Sequence, residues 1–298
     1  DGAARTVLTG SGAKYRATRL IRTEGNHITG QAVMESYEDA GIEKYIYRSL
    51  LELRTCKRCG KLDGKRFPVK EQQVGVNMHP MHPNCRCFVV PDEPDEDLKD
   101  FTRSAQTGAD NWEEVPANMS WEEWRKKYAD GNSEMQAQEK MDRNRNKDRE
   151  QLQDYKAVLG KDAPKSLADF QKLKYTEPEK WDELKKVHRG VKWQKEAQKN
   201  GIVSDSVHKV PNTGAPNTVF DNYENGVLKS RRYYGRTGKP RLDIDMTDHG
   251  TPAKHPMVPH RHGWIETESG GIKRDAVHDQ PLTRADKIAN VDILKGGV

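Results

Sequence analysis

Four cysteines, all between Cys56 and Cys87, constrain this 298-residue chain more than any other feature. They stand as Cys56-Lys57-Arg58-Cys59-Gly60 and, further on, His82-Pro83-Asn84-Cys85-Arg86-Cys87. A C-x-x-C turn lets two thiolates face one metal, and Gly60 relieves the tight backbone beyond it. His82, Cys85 and Cys87 can then close a tetrahedral zinc site. Five candidates compete for four places, so one of His82, Cys85 and Cys87 is spare or supports a ligand from behind. Other readings of the same residues are a redox pair, local disulfides (one between the two Cys pairs would clamp the same loop) and unligated buried thiols. A redox dithiol belongs at a helix N-terminus in a βαβ setting, and none is legible here. The cysteines are too local for a secreted disulfide framework, so a reducing, intracellular setting is expected.

A staple matters because the chain has little else to fold around. Leu, Ile, Val and Phe supply 51 of its residues, about 17% and below the roughly 20% at which a packed core becomes doubtful. The net charge of +5 does not force it open. Small folded modules separated by polar segments are expected, and a large single-core enzyme is not. No apolar stretch approaches the length of a membrane span. The start, Asp1-Gly2-Ala3-Ala4-Arg5, lacks both a Met and the plan of a signal peptide, which suggests a fragment or processed product. Charge divides the chain: residues 1–91 carry +6 and 92–150 carry −7. An acidic spacer opens at Pro91-Asp92-Glu93-Pro94-Asp95-Glu96-Asp97. The expected architecture is α+β: a zinc-knuckle module over 1–91, an acidic linker and helical spacer over 92–202, and a small α+β module over 203–298.

In the first module Ile21, Ile28 and Ala32 share one face of a helix within 14–40, and Gly41 stops it. Tyr45 to Leu53 and Phe88-Val89-Val90 read as strands. The ordered set Arg22-Thr23-Glu24, Asn26, Gly41, Arg54-Thr55-Cys56-x-x-Cys59, Leu62-x-Gly64 and His82-Pro83-Asn84-Cys85-Arg86-Cys87 resembles the Mu F-like phage head morphogenesis family, the minor head proteins of tailed phages. The resemblance covers roughly residues 15–91 and departs at Glu52-Leu53, where the family often has an Asp just before the Arg. It implies a minor capsid protein in the phage head, made in the host cytoplasm. Such a protein binds the portal or the inner face of the major capsid protein, lies near phage DNA and is ejected with it. Family members usually carry a long region before this motif, so a chain lacking that region is expected here. Arg22 and Glu24 could be a nucleotide-binding or transferase pair, but i and i+2 on a helix point apart, which favours solvated or salt-bridge roles.

The middle segment carries two capping boxes, Ser120-x-x-Glu123 and Ser166-x-x-Asp169. Trp121, Trp124 and Tyr128 share one helical face, and Leu152, Tyr155 and Leu159 form a stripe that stops at Gly160. Another helix opens at Pro178, turns Trp181, Leu184 and Val187 or His188 inward, and closes at Gly190. The polar run 134–150 could touch nucleic acid, although its alternating acids favour a solvated face. Leu159-Gly160-Lys161-x-x-Pro164 resembles spacers of phage minor capsid proteins.

The last module is crowded with turn pairs. Arg231-Arg232-Tyr233-Tyr234 and Arg241-Leu242-Asp243-Ile244-Asp245 read as strands of a hairpin, whose alternation places Arg241, Asp243 and Asp245 on one face. His249, His255, His260 and His262 then crowd together, followed by Trp264. Two carboxylates and several imidazoles could hold a divalent metal beside phosphate. Alternatively, paired His could serve as general base and acid, with Arg232 or Arg241 stabilising a phosphorane. The plainest reading is a loop of surface histidines. Tyr234-Gly235-Arg236, Asp243-Ile244-Asp245, His249-Gly250 and Pro259-His260-x-His262 resemble predicted C-terminal toxin domains of phage head proteins and polymorphic toxins. That implies a barnase-like or colicin-like nuclease acting on RNA or DNA. Lys239 and Arg274 add charge suited to RNA, but this module's net +2 is too small to demonstrate it.

Overall fold

The structure, a computed structural model, describes residues 10–92, 100–250, 252–253, 255–267, 270–275 and 280–294. It is a mixed α+β chain that divides into two compact units, Asp1–Asn144 and Arg145–Val298. The division does not follow the expected boundaries at 91 and 202; it falls inside a helix. Residues 93–97 of the acidic spacer lie outside the described residues. Among the described residues no helix is long and apolar enough to cross a membrane.

In the first unit α1 (Gly10–Asp39) precedes a three-stranded antiparallel sheet of order β2-β1-β3, built from β1 (Lys44–Arg48), β2 (Arg66–Pro68) and β3 (Phe88–Pro91). A single turn of helix, α2 (Lys57–Gly60), lies between β1 and β2. The aromatic run makes the central strand because Tyr45, Ile46 and Tyr47 are all fully buried, as β-propensity on a covered sheet demands. Met34, Tyr45, Val69, Met78 and Val89 form the core beneath α1. The face of α1 expected to pack does not: Ile21 and Ile28 are 71% and 63% exposed, and Ala32 is exposed too. The helix instead turns Asn26, Gly30 and Met34 inward, so polar anchoring overrides the aliphatic stripe. Gly30 is required there, since a Cβ would meet Met78 and His79.

Residues 100–144 are not a tether. A hairpin of β4 (Thr102–Gln106) and β5 (Trp112–Pro116) and the short α3 (Trp121–Trp124) bury Ala105, Val115, Trp121 and Trp124 against Leu51 and Leu53. The Ser120–Glu123 capping box forms as expected. Asp63, buried, ties the pieces together: it accepts from the Ser49 and Trp121 amides at 2.7 and 2.8 Å and pairs with Arg103 at 3.2 Å. Composition undercounted this region because most of its few large apolar residues are gathered into one cluster, although Phe101 and Trp112 stay exposed.

The division falls within α4 (Ser133–Leu159), which ends at Gly160 in the left-handed region (φ +60°) that glycine tolerates. The expected stripe Leu152, Tyr155, Leu159 packs with Phe170 of α5 (Leu167–Thr176) and with Leu184, Val187 and Val191 of α6 (Pro178–Asn200). The polar run 134–150 is part of α4, and Asp148 within it is fully buried, held by Gln171, Lys174 and Tyr175. Gly190 does not close α6, which continues for ten residues to Asn200. Its missing side chain lets Ala285 approach, because a Cβ would stand 2.8 Å from the Ala285 Cβ.

A seven-stranded sheet follows, built from β6 (Ile202–Asp205), β7 (Val219–Glu224), β8 (Val227–Tyr234), β9 (Pro240–Asp245), β10 (His260–Glu266), β11 (Ile272–Arg274) and β12 (Gln280–Pro281). Its order is β11-β10-β9-β8-β7-β6, and β12 also pairs with β10. β6 runs parallel to β7 and the other pairs are antiparallel. The short α7 (Arg284–Ala289) and α8 (Val291–Leu294) close the chain. One face of the sheet buries Val219, Tyr233, Leu242 and Ile244 against Ala197 of α6. The opposite face of β8, β9 and β10 therefore carries Arg232, Asp243, Asp245, His260 and His262.

Candidate metal centres

The first cluster is set by two loops. After β1 the chain turns through Thr55, and Cys56 caps α2, its sulfur accepting from the Cys59 amide at 3.4 Å. The C-x-x-C pair thus does sit at a helix N-terminus, but among antiparallel strands rather than in a βαβ unit. The loop before β3 returns His82, Cys85 and Cys87. Cys56 Sγ and Cys59 Sγ each lie 3.4 Å from His82 Nε2. Two groups result, Cys56–Cys59–His82 and Cys59–Cys85–Cys87, each with its ligand atoms within 4.8 Å of one another. Cys59 belongs to both. All four cysteines are free thiols, and Cys59, Cys85 and Cys87 are buried beside Tyr47 and Met81.

His82 Nδ1 lies 3.0 Å from the Pro83 carbonyl, to which Nδ1–H donates. That leaves Nε2 turned to the thiols, as the carbonyl-oriented imidazole of a metal ligand is. Burial disfavours protonated His82, but the Pro83 carbonyl and the Cys56 and Cys85 sulfurs outweigh it and raise its pKa. Burial raises Cys56, yet the Cys59 amide and His82 bring it below the usual thiol range. Hydrogen bonds from Cys59 and Cys87 hold Cys85 far below that range. Burial, with Cys87 and Cys59 beside it, pushes the Tyr47 phenol up. Cys59 is pushed up instead, by its hydrogen bonds with Cys85 and Cys87 and by burial, and at Cys87 the lowering bond from Cys59 is outweighed by Cys85 and burial, which push it up to about 12. A soft or borderline cation binds the thiolate, so loading this cluster displaces those two protons.

The residues that lock this loop were legible as motif letters but not as roles. Asn26 Nδ2 donates to the Cys87 carbonyl at 3.0 Å, and its Oδ1 lies 2.7 Å from His79 Nδ1. Thr23 Oγ1 accepts from the Asn84 amide at 3.0 Å, at a residue whose φ is +60°. Glu52, at the point of departure from the family pattern, is buried and pairs with Arg86. Arg22 and Glu24 are exposed.

The second cluster stands on strands. Alternation along β9 and β10 aims Asp243, Asp245, His260 and His262 to one side, with His260 paired to Asp245 and His262 to Asp243 in register. His249 is brought back by a tight turn at Asp248–Gly250, where His249 has φ +54° and the Asp248 carboxylate accepts from the Gly250 amide. Asp245 Oδ2 lies 3.1 Å from His249 Nε2, 3.3 Å from His262 Nε2 and 3.8 Å from His260 Nε2. The His260 and His262 Nε2 atoms are 3.0 Å apart. His255 stands edge-on to His249 with ring centroids 4.8 Å apart and stacks on His260 at 5.5 Å, but contributes no ligand atom to the group. Burial opposes ionisation of Asp245, but His262, Arg274 and His249 hold its pKa below the ordinary carboxylate range.

Arg232 and Asp243 form a buried two-bond ion pair, both contacts at 2.7 Å, so Asp243 is engaged rather than free. Arg241 is not on this face. The register slips between Tyr233, opposite Leu242, and Tyr234, opposite Pro240. At that irregularity Arg241 lays its guanidinium 4.6 Å over the Trp193 ring. Arg274 stands in the place expected of Arg241, 3.3 Å from Asp243 and 3.6 Å from Asp245. The cluster opens on a cleft of about 420 Å³ lined by Lys209, Lys229, Arg232, Arg274, His249 and Trp264 among others.

Residues 4–90 match the family model described as Phage Mu protein F like protein. No curated protein and no solved structure matches the chain. The match takes in the whole cysteine cluster and ends before the histidine cluster, so the N-terminal segment, with its knuckle loops, is Mu F-like.

Proposed function

We propose that this chain is a phage head morphogenesis protein: a minor capsid component of the virion, made in the host cytoplasm and assembled against the portal or the major capsid protein. The observation that carries the reading is the match over residues 4–90, which spans α1, the sheet and both knuckle loops. The outward face of α1 supports it. Ile21 and Ile28 share one side of the helix, with Leu20 beside it, and all three are more than half exposed; adjoining large apolar side chains on a surface are the kind of patch that takes a protein partner. In this role the knuckle is structural. Four of Cys56, Cys59, His82, Cys85 and Cys87 hold zinc and fix the loop that anchors α1. Inside the head the protein lies beside packaged phage DNA and leaves with it on ejection. Co-expression with the portal and major capsid proteins of the same phage tests this. Sedimented capsids should retain the chain, and Ile21→Asp with Ile28→Asp should release it. Capsids that form and sediment without the wild-type chain would overturn the reading.

A second reading concerns the C-terminal unit alone: an effector nuclease delivered with the genome. The basic cleft favours it, because four cationic side chains and an indole beside a histidine cluster suit a phosphodiester and a stacked base. Incubating the full chain with tRNA and with plasmid DNA, with and without Mg²⁺ or Mn²⁺, decides it. Cleavage that Arg274→Ala diminishes supports it, and intact nucleic acid under every condition removes it.

A further inference from the structure

We propose that Asp245, His249, His260 and His262 form a binding site for a divalent transition-metal ion of the zinc class, at the end of the cleft in the C-terminal unit. Their ligand atoms all lie within 4.8 Å of one another. A tetrahedral ion with metal–donor bonds of 2.0–2.1 Å sets its donors about 3.4 Å apart. The distances here are 3.0, 3.1, 3.3 and 3.8 Å, which bracket that value.

Without a cation the arrangement is frustrated. The His260 Nδ1 atom lies 2.8 Å from the Met257 carbonyl, so its proton sits there and Nε2 presents a lone pair. His262 Nε2–H donates to that lone pair at 3.0 Å, so the pair spends its shared proton on itself rather than on the carboxylate oxygen it surrounds. Asp245 Oδ2 is buried and receives no aligned hydrogen bond, a costly state for a charged oxygen. One ion at the shared centre satisfies all four atoms. General acid–base catalysis by His260 and His262 fits poorly, because an acid and a base must flank the reacting phosphorus and these nitrogens are too close to admit an atom between them. Three imidazole nitrogens and one carboxylate oxygen are the donors of zinc, cobalt and nickel rather than magnesium or calcium. Asp245 and His249 also line the cleft, so a further coordination position faces its basic wall. The assignment stands whether or not the chain cleaves nucleic acid.

Chelator-stripped full chain, titrated with Co²⁺ and read by absorption and by equilibrium dialysis, tests it. The wild type should bind one equivalent whose visible ligand-field bands carry no thiolate charge transfer. His262→Ala should abolish that equivalent and leave any thiolate band untouched. His249→Asn, which keeps a residue tolerant of the left-handed turn, should weaken it by at least about a hundredfold. Circular dichroism identifies folded variants, and His249→Asn decides the matter if His262→Ala does not fold. Equal sulfur-free Co²⁺ binding by wild type and folded His249→Asn, or none by either, overturns the proposal.

Discussion

The two clusters show how one chain poor in aliphatic residues can use the same kind of side-chain crowding for opposite ends. In the first unit the candidate ligand atoms are mostly sulfur, they come from two loops, and Tyr47, Met81 and Phe67 pack over them. In the second they are imidazole and carboxylate, two strands and a tight turn supply them, and they face a charged cleft. Structural metal sites are closed and sulfur-rich, whereas working sites keep an open position. The units also differ in what else holds them. The first has its thiol loops, the hydrogen bond that Asn26 donates to Cys87, and the bonds that Asp63 accepts from Ser49, Trp121 and Arg103. The second buries two whole ion pairs, Arg231 with Asp221 and Arg232 with Asp243.

The largest expected effect falls on the first unit. Cys59→Ser removes the one sulfur common to both thiol groups. Losing a structural zinc site unfolds small metal-dependent modules outright, and a loss above about 4 kcal/mol is the diagnostic range for such a mechanism. Thermal unfolding followed by Trp fluorescence should therefore lose its first-unit transition in this variant, and a chelator should do the same to wild type. An unchanged transition in both would break the contrast drawn above. In the second unit Arg231→Ala should cost about 3–5 kcal/mol, because Asp221 is left charged and buried. A double change, Arg231→Met with Asp221→Leu, should recover most of that loss in urea denaturation. If the double variant is as weak as the single one, the pair is not what the second unit depends on.

An intermediate effect tests how the helix joins the knuckle. Asn26→Ala removes two links at once, to the Cys87 carbonyl and to His79, and should cost about 1–3 kcal/mol with faster amide exchange over 79–90. Asn26→Asp, which keeps only the acceptor, should fall between. Equal stability of Asn26→Ala and wild type would mean the loop is fixed by its thiols alone.

These roles mark the limit of what the sequence discloses. The spacing of Cys56, Cys59, His82, Cys85 and Cys87 and of the four histidines was enough to mark both clusters, because ligand geometry is written in short-range spacing and in strand alternation. Asn26 reaching 61 residues along the chain to Cys87 follows from how α1 docks, and no local pattern encodes it. Ile21 and Ile28 misled for the same reason: periodicity identifies an apolar face but not whether anything in the chain covers it. Arg241 failed through one register slip, since a single extra residue inverts the side on which alternation places a side chain. Arg274 reaches the cluster from β11, across β10, which strand order alone could reveal.

The smallest effect is at Ser120, and pH supplies a second handle on it. Ser120 caps α3, and Glu123 accepts from the Ser120 amide at 2.7 Å and from its hydroxyl at 2.8 Å. These bonds from the Ser120 amide and hydroxyl lower the Glu123 pKa from its ordinary value. Because the folded value lies below the unfolded one, the carboxylate contributes fully above the ordinary Glu range, and the contribution fades as pH falls through the folded value. Ser120→Ala should cost about 1 kcal/mol at neutral pH. Glu123→Gln should weaken the unit at neutral pH but narrow its difference from wild type as the solution is acidified. Urea midpoints measured from pH 7 down to pH 3 check this. The same box recurs in the second unit at Thr283 and Asp286, where Asp286 also holds Gln194. Asp286→Asn should therefore disturb more than its cap, so a larger loss there than at Glu123 would separate a local device of the first unit from a shared network of the second. Equal losses would erase that distinction and leave the side-chain clusters and the buried ion pairs to carry the comparison.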